Sequence, residues 1–204
     1  MGSRNIFIAI VAVVAIGTGA WLSSLVMAPA ALPRTATVLP APSDLPEFSL
    51  VDQNGATIGR DVFRDHWSLV FFGFTHCPDI CPLTLQVLAN ARQQLAEAGQ
   101  QPLPRIVLVS VDPERDTPEV MKRYVGYFGD DIVGITGELD EIRTLTNGLG
   151  IFFEKSRQDG DNYSVDHSAV VILMNPQGQF QALFSAPHEA ANFVHDLPII
   201  TGSL

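Results

Sequence analysis

The chain has 204 residues, and its 22 acidic residues outnumber its 12 basic ones, which gives a formal net charge of −10. Nucleic acids are polyanions, so this acidic balance argues against nucleic acid as an electrostatically favoured partner. The acidic residues themselves are accounted for by solubility.

The N-terminal segment is apolar and long. No charged residue lies between Arg4 and Arg34, and Ile6–Met27 is long enough to cross a bilayer as one helix. The basic residue at the short end predicts that this end stays cytoplasmic. Small residues after Met27 also fit a signal-peptide cleavage site, although the uncharged run is long for a signal sequence. We therefore predict a membrane anchor, or alternatively a signal sequence, at residues 1–30.

The anchor predicts the location of the rest of the chain. Residues 31–47 contain four prolines, a composition typical of a semi-rigid tether. Residues 48–204 suit one globular domain. We expect a single-pass protein of a bacterial-type inner membrane, with this domain on the periplasmic, exported side.

The domain alternates predicted strands and helices. Continuous apolar runs predict strands that are buried on both faces, whereas apolar residues at helical spacing predict the helices. The order predicts an α/β, thioredoxin-like fold: a central mixed β-sheet flanked by helices, with parallel strands first and an antiparallel pair last. The predicted elements are a hairpin in Phe48–Gly59, a strand at Ser68–Phe74, a helix from Asp79 or Ile80 to Gly99, a strand at Arg105–Val111, a helix in Asp116–Phe128, a strand near Ile132, a helix at Glu138–Asn147, a hairpin of Ala169–Met174 and Gln179–Phe184, and a helix at Pro187–His195.

Both cysteines of the chain, Cys77 and Cys81, lie in the segment between the first buried strand and the next helix. An exported domain meets an oxidising environment in which disulfides persist. A bridge across so short a loop would nevertheless contribute only about 2 kcal/mol in the chain-entropy model. Redox chemistry or metal binding therefore explains this pair better than structural cross-linking.

The helix that follows the cysteines begins close to them. Pro82 is tolerated only in the first turn of a helix, which places the start near Asp79, a candidate N-cap. Cys81 then lies in the first turn and Cys77 in the preceding loop. The partial positive charge of a helix N-terminus favours thiolate over thiol, so the sequence predicts reactive thiols.

Two thiolates make an incomplete metal site, and the chain has five histidines that are candidates for a third ligand. His66, His188 and His195 fit surface, capping or helix positions. His76 adjoins a cysteine, so its side chain is expected to point away from that sulfur. His167 stands just before the C-terminal hairpin. If that hairpin runs antiparallel to the first buried strand, His167 lies beside both thiols.

Two soft sulfurs and one imidazole suit copper, above all Cu(I). Zinc is the competing metal, but its structural sites normally have four protein ligands. Asp166 is a candidate fourth ligand, or a second-sphere group that orients His167. A turn or capping role for Asp166 is an equal alternative.

Three motifs together resemble the Sco/SenC family of membrane-tethered copper proteins. They are GFTHCPDICP, VSVDPERDTPE and VDHSAVVILMNPQG, and the similarity spans residue 45 to the C-terminus. The resemblance implies one copper ion per domain, as Cu(I) or Cu(II), with Cys77, Cys81 and His167 as ligands. It also implies a role in assembling the CuA centre in subunit II of cytochrome c oxidase. Asp112 is then a candidate partner contact, although a turn-forming role fits it equally well.

The leading hypothesis is a copper metallochaperone rather than a turnover enzyme, without catalytic residues of its own. It would take copper from an upstream donor, after a thiol reductant has reduced its cysteines, and deliver it to subunit II or another copper enzyme. The alternative is a thiol–disulfide oxidoreductase that reduces the CuA-site cysteines through the redox-active pair Cys77 and Cys81. Only the first hypothesis needs His167.

Overall fold

The computed structural model describes residues 2–26, 32–156 and 163–202. These residues form two separate compact units that divide between Leu32 and Pro33. The first unit is helix α1, Ser3–Val26. Its window Ser3–Trp21 is long and apolar enough to cross a membrane, with a mean hydropathy of 1.7. Length and composition suit a membrane-spanning helix and, this close to the N-terminus, equally suit a signal sequence.

The second unit is built around a mixed sheet of eight strands. Their order across the sheet is β1-β10-β9-β4-β5-β6-β2-β3. The strands are β1 Ala36–Ser43, β2 Leu50–Asp52, β3 Thr57–Ile58, β4 Ser68–Gly73, β5 Arg105–Ser110, β6 Val133–Thr136, β9 Val170–Met174 and β10 Phe180–Ser185, and a separate two-stranded sheet holds β7 Phe153–Lys155 and β8 Val165–His167.

The centre of the sheet agrees with the predicted thioredoxin-like pattern. β4 pairs in parallel with β5, and β5 pairs in parallel with β6. β9 lies antiparallel to β4 on its other side and forms the C-terminal hairpin with β10. All six residues of β4 are buried, as its continuous apolar sequence predicts. The antiparallel pairing brings the start of β9 to the end of β4.

Four α-helices complete this unit among the described residues: α2 Ile80–Glu97, α3 Pro118–Gly126, α4 Leu139–Leu149 and α5 Ala190–Gly202. α2 packs against α5, and α3 packs against β6. Thr117 caps α3 by accepting a hydrogen bond from the backbone N–H of Val120. Asp79 occupies the predicted N-cap position of α2, but its side chain makes no capping hydrogen bond. α5 starts later than predicted, at Ala190, and it also ends later because it continues through Pro198.

The segment predicted as a tether, at residues 31–47, contains strand β1 in the structure. Within it, β1 pairs antiparallel with β10 at the edge of the sheet. Proline is tolerated on an edge strand because one side of such a strand needs no ladder hydrogen bonds, so Pro40 and Pro42 do not prevent pairing. The buried Asp196 of α5 holds the start of this strand by accepting the backbone N–H groups of Arg34, Thr35 and Ala36. Much of the proline-rich segment is therefore part of the folded domain.

Candidate metal centre

The cysteine loop connects the end of β4 to the start of α2. Cys81 lies in the first turn of α2 and is fully buried, whereas Cys77 in the loop is half-buried. Both are free thiols. The Cys81 sulfur lies directly against Gly73, where an added Cβ would come within 2.9 Å of it. The missing side chain at Gly73 therefore creates the space that the sulfur occupies.

His167 reaches the same point from β8, the strand that immediately precedes the C-terminal hairpin. Its Nε2 atom lies 3.6 Å from the Cys81 sulfur. The rings of Phe71 and Phe74 meet the imidazole edge-on, at centroid distances of 5.9 and 6.1 Å. Residues 86 positions apart are thus brought into contact inside an aromatic enclosure.

The hydrogen bonds of His167 define which nitrogen is free. Its Nδ1 atom lies 3.2 Å from the carbonyl oxygen of Ser168. A carbonyl oxygen only accepts, so Nδ1 carries the proton of the neutral ring and Nε2 presents its lone pair toward Cys81. This arrangement gives a metal ligand with a fixed tautomer, because the second nitrogen is held by the backbone.

Burial shifts the pKa of both Cys81 and His167. It raises the pKa of the Cys81 thiol, and the neighbouring Cys77 adds to that effect, while a backbone hydrogen bond at Phe74 acts in the opposite direction. Burial also lowers the pKa of His167, which the contact with Ser168 offsets only in part. Burial therefore acts against the predicted thiolate at Cys81 and favours the protonated thiol until a metal binds.

Asp166 lies outside the enclosure that holds His167. The two residues are neighbours in β8, so their side chains point to opposite faces. Asp166 is exposed, and it is Ser168 that bonds to the Nδ1 atom of the imidazole. The structure thus gives the predicted orienting role to a backbone carbonyl instead of Asp166.

Asp112 is buried, with 4% of its surface exposed. It accepts hydrogen bonds from the Arg115 side chain and, at 2.6 Å, from the hydroxyl of Tyr163. The Arg115 guanidinium in turn stacks over the Tyr163 ring at 3.7 Å and lies 5.8 Å from the centre of the Phe74 ring. Asp112 therefore holds a cluster behind the aromatic enclosure, and its burial leaves little of it for the predicted partner contact.

Asp116 is a site residue that the sequence analysis missed. It is fully buried just before α3 and accepts hydrogen bonds from the backbone N–H of Thr75, the Thr75 hydroxyl and the Ser110 hydroxyl. These contacts hold the cysteine loop to the end of β5. The sequence signal that could have identified it is an acidic residue in the segment after β5, a buried strand that ends at the same edge of the sheet as the cysteine loop.

The other four histidines lie apart from the Cys81–His167 contact. His195 bonds to Asp196, and His188 packs near the Phe193 ring at 5.9 Å. His66 precedes β4, and burial lowers its pKa. His76 adjoins Cys77 and is half-exposed. Its Nδ1 atom faces Thr75 at 3.1 Å.

The donor set fits a soft metal ion. Thiolate sulfur and imidazole nitrogen suit Cu(I), Cu(II) and zinc, whereas hard cations prefer oxygen. Within residues 2–26, 32–156 and 163–202, no three His, Cys, Asp or Glu side chains are already gathered around one point. The preformed part of the candidate centre is the pair of Cys81 and His167, with Cys77 on the adjoining loop.

Fold and site together define a thioredoxin-like domain in which a Cys-x-x-x-Cys pair meets a distant histidine. The SCO1/SenC family model matches residues 39–201, and the chain belongs to that family. The SCO2-like protein of Rickettsia prowazekii is 38% identical over 139 residues, which cover 67% of each chain.

Two solved structures with copper bound have the same fold. Arabidopsis thaliana ScoI matches with a TM-score of 0.73 and 32% identity, covering 78% of this chain and 98% of that one. Yeast Sco1 matches with a TM-score of 0.72 and 30% identity, covering 80% of this chain and 91% of that one. The predicted Sco/SenC resemblance and the predicted fold class are confirmed.

Proposed function

We propose that this chain is a copper chaperone that binds one copper ion through Cys77, Cys81 and His167. It delivers copper to the CuA centre in subunit II of cytochrome c oxidase, or prepares that centre for copper. The observation that carries the proposal is the 3.6 Å contact between the Cys81 sulfur and the free Nε2 atom of His167. A soft donor and an imidazole donor already face each other there.

Copper is favoured over zinc by chemistry and by kinship. Three ligands of which two are thiolates suit Cu(I), whereas a structural zinc site would need a fourth ligand. The family relatives Arabidopsis thaliana ScoI and yeast Sco1 are known with copper bound. Imidazole coordination additionally accommodates Cu(II), so one site serves either oxidation state.

Loading requires reduced cysteines and displaces protons. A disulfide offers no thiolate, so an upstream thiol reductant must act before copper binds. The raised pKa of Cys81 means that its thiol proton leaves as the copper–sulfur bond forms. Cys77, on the half-buried loop, then closes onto the ion from the solvent side.

Helix α1 supports a membrane location for the chain. We infer that it anchors the chain in a bacterial-type inner membrane, with the copper-binding domain on the periplasmic side. Arg4 at the short end supports this orientation. The domain would then meet an exported copper donor and the exported face of the oxidase.

The second candidate function is thiol–disulfide exchange at the CuA-site cysteines. One observation favours it: Cys77 is accessible while Cys81 is buried, which is the arrangement of an attacking thiol and a resolving thiol. This chemistry needs both cysteines and does not need His167. The histidine therefore separates the two functions.

The test uses the reduced full chain in detergent, titrated with copper and then mixed with an apo CuA domain. The wild type should bind one copper and pass it on, whereas His167→Ala should bind Cu(II) at least about tenfold more weakly, a loss of about 1.4 kcal/mol. Asp166→Asn is the matched control, because this exposed neighbour faces away from the site. A His167→Ala protein that binds and transfers copper normally would overturn the proposal and favour the exchange reaction.

A further inference from the structure

The preformed part of the centre is closed to solvent on most sides. Cys81 is fully buried, and the His167 ring is enclosed by Phe71 and Phe74. Cys77 is the one proposed ligand that lies in the exposed loop, between His76 and Pro78. The cysteine loop therefore offers an incoming ion a solvent-exposed route to the inner ligands.

His76 occupies the exposed side of that loop and is held in a defined orientation. Its side chain is 54% exposed. The Nδ1 atom lies 3.1 Å from the Thr75 hydroxyl oxygen, which in turn lies 2.5 Å from Oδ1 of Asp116. Asp116 is fully buried and is also bonded to Ser110 at 2.6 Å, so the whole chain of contacts is fixed to the sheet.

The protons in this chain leave one nitrogen of His76 free. A carboxylate only accepts hydrogen bonds, so the Thr75 hydroxyl donates its single proton to Asp116. The Thr75 oxygen must then accept, and the Nδ1 atom of His76 donates to it. Whenever the ring is neutral, the opposite nitrogen, Nε2, keeps its lone pair, and it lies across the ring from the atom that faces Thr75.

We propose that His76 is an outer copper ligand that captures the ion at the mouth of the site and hands it inward. This inference rests on the proposed function. His76 would not belong to the resting set of ligands. It would lower the barrier to exchange by holding the ion while the inner bonds form or break.

The exchange can be written without a change in oxidation state. A bond from copper to the donor molecule breaks as a bond to Nε2 of His76 forms. The Cys77 thiol then loses its proton to water and bonds to the ion. Cys81 does the same, His167 bonds through Nε2, and the bond to His76 breaks. Release to a partner thiol runs through the same steps in reverse.

The experiment measures capture and release rates separately from affinity. Reduced full chain in detergent is mixed in a stopped flow with Cu(I) held by a coloured chelator, and the reverse reaction uses an excess of chelator. His76→Asn is the main variant, because an amide can still bond to Thr75 but lacks the outward nitrogen. Gln93→Ala, on the exposed face of α2, is the control for a surface change.

The proposal predicts that His76→Asn slows capture and release by about the same factor, near tenfold, or about 1.4 kcal/mol of activation free energy. The equilibrium affinity should change by less than about twofold. Unchanged rates in His76→Asn would overturn the proposal. Faster release with weaker affinity would also overturn it, because His76 would then be a resting ligand.

Orientation by Thr75 provides a second readout. Thr75→Ser keeps the hydroxyl and should match the wild type, whereas Thr75→Val, with the order of its cysteine loop checked by amide NMR, should slow both rates although His76 is present. Equal rates in these two variants would contradict the orienting role. A wild type that takes up no copper would instead contradict the proposed function, so the two failures are distinguishable.

Discussion

Gly73 determines how closely the Cys81 sulfur can approach the end of β4. A methyl group there would meet both that sulfur and the Phe71 ring at 2.9 Å, closer than real Cβ contacts. Because Phe71 also borders the His167 ring, a shift of either neighbour changes the spacing of the proposed ligands.

We therefore expect Gly73→Ala to weaken copper binding by about tenfold or more and to lower the stability of the fold by about 1–3 kcal/mol. Copper titration and thermal unfolding followed by circular dichroism measure the two effects. Gly126→Ala is the matched control, because an added Cβ at this helical position meets nothing within 4 Å. It should leave copper binding unchanged, and equal behaviour of the two variants would contradict the packing argument.

The buried thiol of Cys81 makes copper uptake depend on pH. Its pKa is raised by burial, so the thiol is protonated at neutral pH and copper must displace that proton. The pKa of His167 is lowered by burial, so this ring is already neutral and releases none. Through Cys81 alone, the apparent affinity should fall by about tenfold for each unit that the pH is lowered.

The measurement is copper titration of the reduced chain at several pH values near neutrality, with the proton release recorded in weak buffer. An affinity that does not change with pH would show that Cys81 is already a thiolate, or that it is not a ligand.

At the scale of elements, the connection between β5 and α3 supports the cysteine loop. Asp116 lies in this connection and accepts hydrogen bonds from Thr75 in the cysteine loop and from Ser110 at the end of β5. Replacing it with alanine would leave the buried Ser110 hydroxyl and the part-buried Thr75 donors without this partner, at a cost of about 1–3 kcal/mol for a fully buried group.

We expect Asp116→Ala to lower stability by more than about 2 kcal/mol and to broaden the NMR signals of the cysteine loop. Thermal unfolding and amide spectra provide the measurements. Asp140→Asn is the control, since that carboxylate is 96% exposed and should be almost neutral. A stable Asp116→Ala protein with an ordered loop would contradict the supporting role.

Sequence patterns predicted the central elements because their signals are local. The apolar run of β4, the Pro82 signal at the start of α2 and the turn Asn175–Gly178 each depend on a few adjacent residues. The position of His167 followed from one assumption, that the C-terminal hairpin runs antiparallel to β4, and the pairing of β9 with β4 agrees with it.

The rest of the site depends on contacts that leave no periodic signal. β7 and β8 have three residues each, too short for a pattern, yet β8 carries His167. The bonds of Asp116 to Thr75 and of Asp112 to Tyr163 join residues 41 and 51 positions apart. β1 was missed because its prolines suit an edge strand and a tether equally well.

At the scale of the whole domain, Asp196 joins the first strand to the last helix. Burial alone would raise the pKa of this carboxyl, but backbone donors from Arg34, Thr35 and Ala36 together with His195 hold it below its ordinary value of 3.8. A depressed pKa in the folded state adds stability that is fully present above the unfolded value. That stability is lost as the pH falls through the folded value.

We therefore expect acid destabilisation of the wild type to begin near pH 4, and Asp196→Asn to be less stable at neutral pH by about 1–3 kcal/mol. The difference between the two proteins should shrink as the pH is lowered. Thermal unfolding across an acid pH series measures it. A constant difference at every pH would contradict the role of the charged carboxylate.

In the proposed site, one copper ion is held by the two cysteines and His167. X-ray absorption of the copper-loaded, reduced full chain identifies the atoms bonded to the metal, with His167→Ala measured beside it. We expect two sulfur neighbours and one imidazole nitrogen in the wild type, and loss of the imidazole signal in the variant. A copper ion without sulfur neighbours, or an imidazole signal that persists in His167→Ala, would show that these three residues are not the ligands.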